Sequence, residues 1–167
     1  YCDRIVRTYN HMTNSNDYNL NPYQRWLSWS ELANDYNLNM FVYLYNSLSN
    51  YFAPFDTITH MSSYYKLCKN SGIDMIFDQG QYSNANATNW SRLKTYLNHK
   101  LSLDANANVN DLTQRFMQAY FGDAWEDMYE LYSSIRDYYA YLMTNTTSFG
   151  VYTDINKTDK WFFPKEY

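Results

Sequence analysis

The chain has 167 residues, a formal net charge of -4, 20% aromatic residues and only 18% charged ones. Lys and Arg form no basic stripe, which argues against a nucleic-acid partner, and no apolar run is long enough to span a bilayer. The length suits one domain, or a piece of a larger protein, with a core of its own.

In chain order, "RIVRTY" (Arg4 to Tyr9) reads as a β-branched strand ending at Asn10 and His11. An Asn/Ser/Thr-rich loop over residues 12–21 leads to Pro22, which suits the first turn of a helix. That helix is expected over Tyr23 to Asp35, with Trp26, Leu27, Trp29 and Leu32 in helical periodicity. "NMFVYLYN" (Asn39 to Asn46) is the second strand, followed by a loop carrying Tyr51, Phe52 and Pro54. A second helix is predicted from Thr57 to Asn70, stopped at Ser71-Gly72. "GIDMIFDQGQY" (Gly72 to Tyr82) then sets a buried strand, Ile73 to Phe77, against a polar cluster: Asp78, Gln79, Gln81 and Tyr82.

Beyond Tyr82 the pattern turns helical. Trp90, Leu93, Leu97 and Leu101 share one face; Val109, Leu112, Phe116 and Ala119 share another, after an Asn108 cap with Asp111 three residues on. Gly122 ends that helix, and Trp125, Met128, Tyr132, Ile135, Tyr139 and Leu142 stripe the last one. Such stripes read as core packing. The tail from Asn145 to Tyr167 has no clear period.

The sparse residue types add exclusions. Cys2 and Cys68 fit no metal or redox spacing and read as buried thiols. His11, His60 and His99 are too scattered for zinc, so no metal or cofactor is expected. Asn-X-Ser/Thr triplets at Asn86, Asn89, Asn145 and Asn156 read as chance matches in so Asn-rich a chain.

The alternation of strand and helix predicts an α/β fold with parallel strands. Apolar runs this continuous call for cover on both sheet faces, so part of a barrel is expected, with more sheet outside the chain. The reading divides the chain into a barrel segment, residues 1–104, and helices with a tail packed on it, residues 105–167.

Five stretches in series, "RIVR", "NPYQRWLSWSEL", "FVYLYNSLSNYFAPF", "GIDMIFDQG" and "LKTYLNHKLSLDANANVNDLTQRFMQAYFGDA", resemble domain of unknown function 4838 over roughly Asp3 to Met143. The resemblance implies the C-terminal part of the barrel in large glycoside hydrolases of undefined activity. It further implies a (β/α)8 TIM-type barrel, a carbohydrate ligand, and an N-terminal domain with the early strands lying elsewhere. The expected setting is extracellular, or the cell envelope of a bacterium. Where the family usually has Glu after the third strand's aromatic residue, this chain has Asp78; where it usually has an acid in the second strand, this chain has Leu44.

In a barrel the carboxyl ends of the strands face the active site. That places Asp78 as the candidate catalytic acid, with Arg7, Asn10, His11, Tyr45, Asn46, Tyr51, Phe52, Gln79, Gln81 and Tyr82 as candidate sugar contacts. Amides and carboxylates pair with sugar hydroxyls, and aromatic faces pack on the apolar faces of the ring. Flanking Ile76 and Phe77 would desolvate Asp78 and raise its pKa toward an acid's working range. Hydrolysis normally uses two carboxyl groups, and no residue here is selected as the second. Other readings stay open: Asp78 as a cap, Arg7 as an ion-pair partner, His11 as a loop histidine. At the level of the protein, the alternatives are a carbohydrate-binding barrel without catalysis and a helical interaction domain.

Overall fold

The structure, a computed structural model, describes residues 20–45, 56–79 and 90–145. The strand expected at Arg4–Tyr9 and the polar tail lie outside them. Helix α1 (Leu20–Asp35) leads into strand β1 (Met40–Tyr45), and helix α2 (Ile58–Asn70) leads into strand β2 (Ile73–Gln79). Three helices follow: α3 (Ser91–Leu103), α4 (Val109–Phe121) and α5 (Trp125–Asn145), the last two joined by a 3-10 turn at Gly122–Ala124. The described chain is thus mixed helix and strand, mostly helical, around a short parallel sheet.

The two strands pair in parallel, and the helix between them is long enough for the crossover this needs. From Phe41↔Met75 to Tyr45↔Gln79 the register is regular, but between Met40 and Phe41 one residue of β2 is skipped. The skipped residue is Asp74, and its carboxylate accepts the Met40 backbone N–H at 2.8 Å. The irregularity thus supplies a partner for a backbone donor.

The two faces of this sheet differ. Val42 and Leu44 are buried and lie opposite Ile76 and Asp78 on the side covered by helices. Phe41, Met75 and Phe77 on the other face are about half exposed, and Tyr43 packs on Phe77 with ring centroids 4.7 Å apart.

Helix α1 starts at Leu20, earlier than the expected Tyr23, so Pro22 falls inside its first turn, where no N–H is missed. Only part of its apolar set turns inward. Trp26 is wholly buried against Val42, Leu44 and Cys68, whereas Leu27, Trp29 and Leu32 are exposed. The inward line instead runs through Ser30, whose hydroxyl donates to the Ser71 carbonyl at 2.9 Å. A hydrogen-bonded serine there does what periodicity assigned to an apolar residue.

The main core joins Ile58, Met61 and Tyr65 of α2 to Leu93, Leu97 and Leu101 of α3, Leu112 and Met117 of α4, and Tyr132 of α5. One core therefore crosses position 104. Helix α4 begins as expected: the Asn108 side chain accepts the N–H groups of Asn110 at 2.9 Å and Asp111 at 3.3 Å. Its buried line is Leu112, Thr113 and Met117, and Ala119 is exposed, one helical position off the expected face. Trp90 precedes α3 rather than belonging to it, with φ of 59°. That left-handed backbone is rare for a large side chain. It is offset by an edge-to-face contact with Tyr132 at 5.5 Å. On α5, Tyr132 is buried and Trp125 and Met128 pack against the core; the Tyr139 and Leu142 side chains lie outside the described set.

Candidate functional site

Parallel pairing puts the carboxyl ends of β1 and β2 side by side, and the helix after each strand starts near that same end. Leu44 lies opposite Asp78, and Tyr45 opposite Gln79. Asp78 is partly buried and shares the helix-covered face with Ile76, whereas Phe77 lies on the opposite face. Of the two residues expected to desolvate Asp78, only Ile76 is thus on its side. Position 44, where the resemblance implies an acid, holds a buried leucine directly across the ladder.

The surroundings of Asp78 are titratable. Burial pushes the Tyr65 phenol well above its ordinary range, and the Asp78 charge adds to the rise. Burial likewise pushes the Cys68 thiol up to about 12, with a backbone hydrogen bond pulling the other way and Asp78 adding a smaller upward push. Cys68 is a free, buried cysteine. Both groups are therefore neutral at ordinary pH, one a donor and one close to apolar in character.

The group the sequence reading did not single out is Lys94, only 6% exposed on the second turn of α3. Burial lowers its pKa to about 8, against the upward pull of two carboxylates, Asp56 and Asp78. The signal was present in the spacing: Trp90, Lys94, Leu97 and Leu101 fall on one helical line, so a lysine occupies an apolar stripe position.

Asp56 stands just before α2 and acts as its cap. Its carboxylate accepts the Ile58 N–H at 2.9 Å, the Thr59 N–H at 3.2 Å and the Thr59 hydroxyl. The same charge acts on Tyr132 and Arg136 of α5. Burial pushes the Tyr132 phenol up to about 12, although nearby Arg136 opposes the rise, and the Arg136 guanidinium donates to the Tyr132 hydroxyl at 3.4 Å. Asp56, Asp78, Lys94 and Arg136 thus form one electrostatic group drawn from three elements and the segment before α2, with Lys94 between the carboxylates' fields.

Of the expected sugar contacts, Tyr45 and Gln79 are brought together as a register pair, though only their backbones are described. Arg7, Asn10, His11, Asn46, Tyr51, Phe52, Gln81 and Tyr82 lie outside the described residues. Among the described residues no cluster of His, Cys, Asp and Glu could hold a metal ion, and no helix is long and apolar enough to cross a membrane.

A family model described as domain of unknown function (DUF4838) matches residues 2–132. No curated protein and no solved structure matches the chain.

Proposed function

Starting from membership of the DUF4838 family, to which this chain belongs, we propose that the protein is carbohydrate-active. In this reading it forms part of a glycoside hydrolase that acts on an oligo- or polysaccharide at the carboxyl ends of barrel strands. The observation that carries the reading is the β1–β2 pair itself. Its carboxyl ends lie together, with Asp78 across from Leu44 and Tyr45 across from Gln79. Beside them, Phe41, Tyr43, Met75 and Phe77 form a half-exposed apolar face. Parallel sheets are covered on both faces, so further strands of a (β/α)8-type barrel would complete this one, and aromatic rings near strand ends suit the flat faces of sugars. Asp78 is the acid of the proposal, and its partner carboxylate belongs to the remaining strands.

One observation favours a second reading, carbohydrate binding without catalysis. Asp78 lies on the helix-covered face within the field of Lys94, and Asp56 is engaged in capping α2. Both carboxylates then serve the scaffold.

Asp78→Asn in the complete protein, offered a glycan panel, separates the two. A catalytic acid predicts turnover falling by at least a hundredfold with glycan affinity nearly unchanged, because the amide keeps the shape and loses the proton. The second reading predicts binding without turnover in the wild type, and in the variant a loss of stability. A panel that yields neither binding nor turnover overturns the carbohydrate reading and leaves a helical interaction domain.

A further inference from the structure

We propose that a cleft where α2, the α3–α4 loop and α5 meet is a second ligand site, one that takes the anionic group of an acidic saccharide. The cleft encloses about 420 Å³, within the rough range of 300–1,000 Å³ for ligand pockets. Lys66 and Arg136 share its wall, together with Asn106, Asn110, Ser62 and Thr59, and no carboxylate lines it. Two cations facing one space with no acid in the lining call for a counter-charge from outside.

The Arg136 guanidinium is held in place. It lies 5.3 Å from the centroid of the Tyr132 ring and donates to that hydroxyl, and Tyr132 is only 1% exposed. An anchored guanidinium loses little freedom when it binds an oxyanion. Its Nε is buried without a hydrogen-bond partner, so this side chain's donors are not all matched by the protein.

The acids nearby, Asp56 and, in the first turn of α4, Asp111, lie outside the lining. Asp56 acts on Arg136 and offsets part of its charge, while its oxygens also accept the Ile58 and Thr59 N–H groups and the Thr59 hydroxyl. The first turns of α2 and α4 border the cleft, yet their leading N–H groups are already bound by Asp56 and Asn108. Recognition of charge therefore falls to Arg136 and Lys66, not to helix ends. Beside them, the Asn106 and Asn110 amides offer donors and acceptors of the kind that meet sugar hydroxyls. The saccharide part of the assignment rests on the carbohydrate reading above; the anion part rests on the two cations.

Calorimetric titration of the full chain tests it with four probes: a carboxylated hexose oligomer, a sulfated one, the neutral parent oligomer, and inorganic sulfate. Lys66→Met and Arg136→Met keep the aliphatic stems and delete the charges. The expected result is that one or both acidic oligomers bind at least tenfold more tightly than the neutral parent. Each variant should lose that tenfold preference, with neutral binding unchanged. Which acidic oligomer binds identifies the anionic group. Because Arg136 rests on the core, Lys66→Met, at an exposed position, keeps the test decisive if Arg136→Met fails to fold. Equal binding of acidic and neutral oligomers, or an acidic preference untouched by Lys66→Met, overturns the cleft and leaves the carbohydrate reading standing. Sulfate binding that Lys66→Met abolishes, with no oligomer bound, overturns the saccharide assignment. No binding of any probe overturns the site.

Discussion

The indole N–H of Trp26 donates to the Ser71 hydroxyl at 2.8 Å, across 45 positions of sequence. The same serine accepts the Ser30 hydroxyl on its backbone carbonyl at 2.9 Å. Helix α1 is thereby fixed to the turn between α2 and β2, directly behind the sheet. Trp26→Phe keeps most of the buried area but leaves Ser71 without that donor, and should cost about 1–3 kcal/mol. Trp26→Ala should cost about 3–5 kcal/mol. Urea denaturation followed by far-ultraviolet circular dichroism reads both, and a Trp26→Phe loss near zero would show that packing alone holds the indole.

Lys94 makes stability depend on pH in an unusual direction. Its pKa falls from an ordinary 10.5 to about 8 in the fold, because burial outweighs the carboxylates. Between those values the unfolded chain holds the proton and the native one does not, so stability rises with pH from about 8. Cys68 works against this higher up: its raised thiol pKa makes stability fall once the unfolded thiol ionises, from about 9. The urea midpoint should therefore climb between pH 7.5 and pH 9 in the wild type. In Lys94→Met it should be flat or falling, and a matching climb there would remove Lys94 as the cause.

Leu97 is wholly buried between α2, α4 and α5. Leu97→Ala should destabilise the chain by about 2–5 kcal/mol, the larger values applying if the neighbours cannot close the space. Thermal unfolding of the pair of proteins measures it; a loss well under about 1 kcal/mol would mean that the four helices are not one cooperative core.

Asn108 carries the start of α4 through two hydrogen bonds to backbone N–H groups. Asn108→Ala should cost about 1 kcal/mol, and Asn108→Asp should cost little, since both side chains cap alike. Amide hydrogen exchange at Asn110 and Asp111 gives a local readout that global unfolding lacks.

Much of the architecture was legible in local patterns. The runs "MFVYLY" and "IDMIF" are apolar over the right length for strands, and the 13-residue helix between them makes parallel pairing the natural outcome. The Asn108 cap and the Gly122 stop at the two ends of α4 were readable because caps depend on the residue type at one position. The family was readable too, from five motifs in series.

The rest depended on contacts between residues far apart in the chain. Periodicity gave α1 four candidate core residues, yet three of them are exposed, because the angle at which a helix meets a sheet is set by what it packs on. The polar run after Phe77 looks continuous in sequence, but a strand alternates its side chains, so Asp78 and Phe77 part company across the sheet. Lys94 is the clearest case. Its place on an apolar stripe shows in the sequence, but tertiary packing encloses it and brings the carboxylates of Asp56 and Asp78 to bear on its charge. Local pattern determined which segments are helix or strand, because backbone conformation follows near neighbours in the chain. Which polar groups share one electrostatic environment was decided by tertiary structure alone, because Coulomb interactions depend on distance in space.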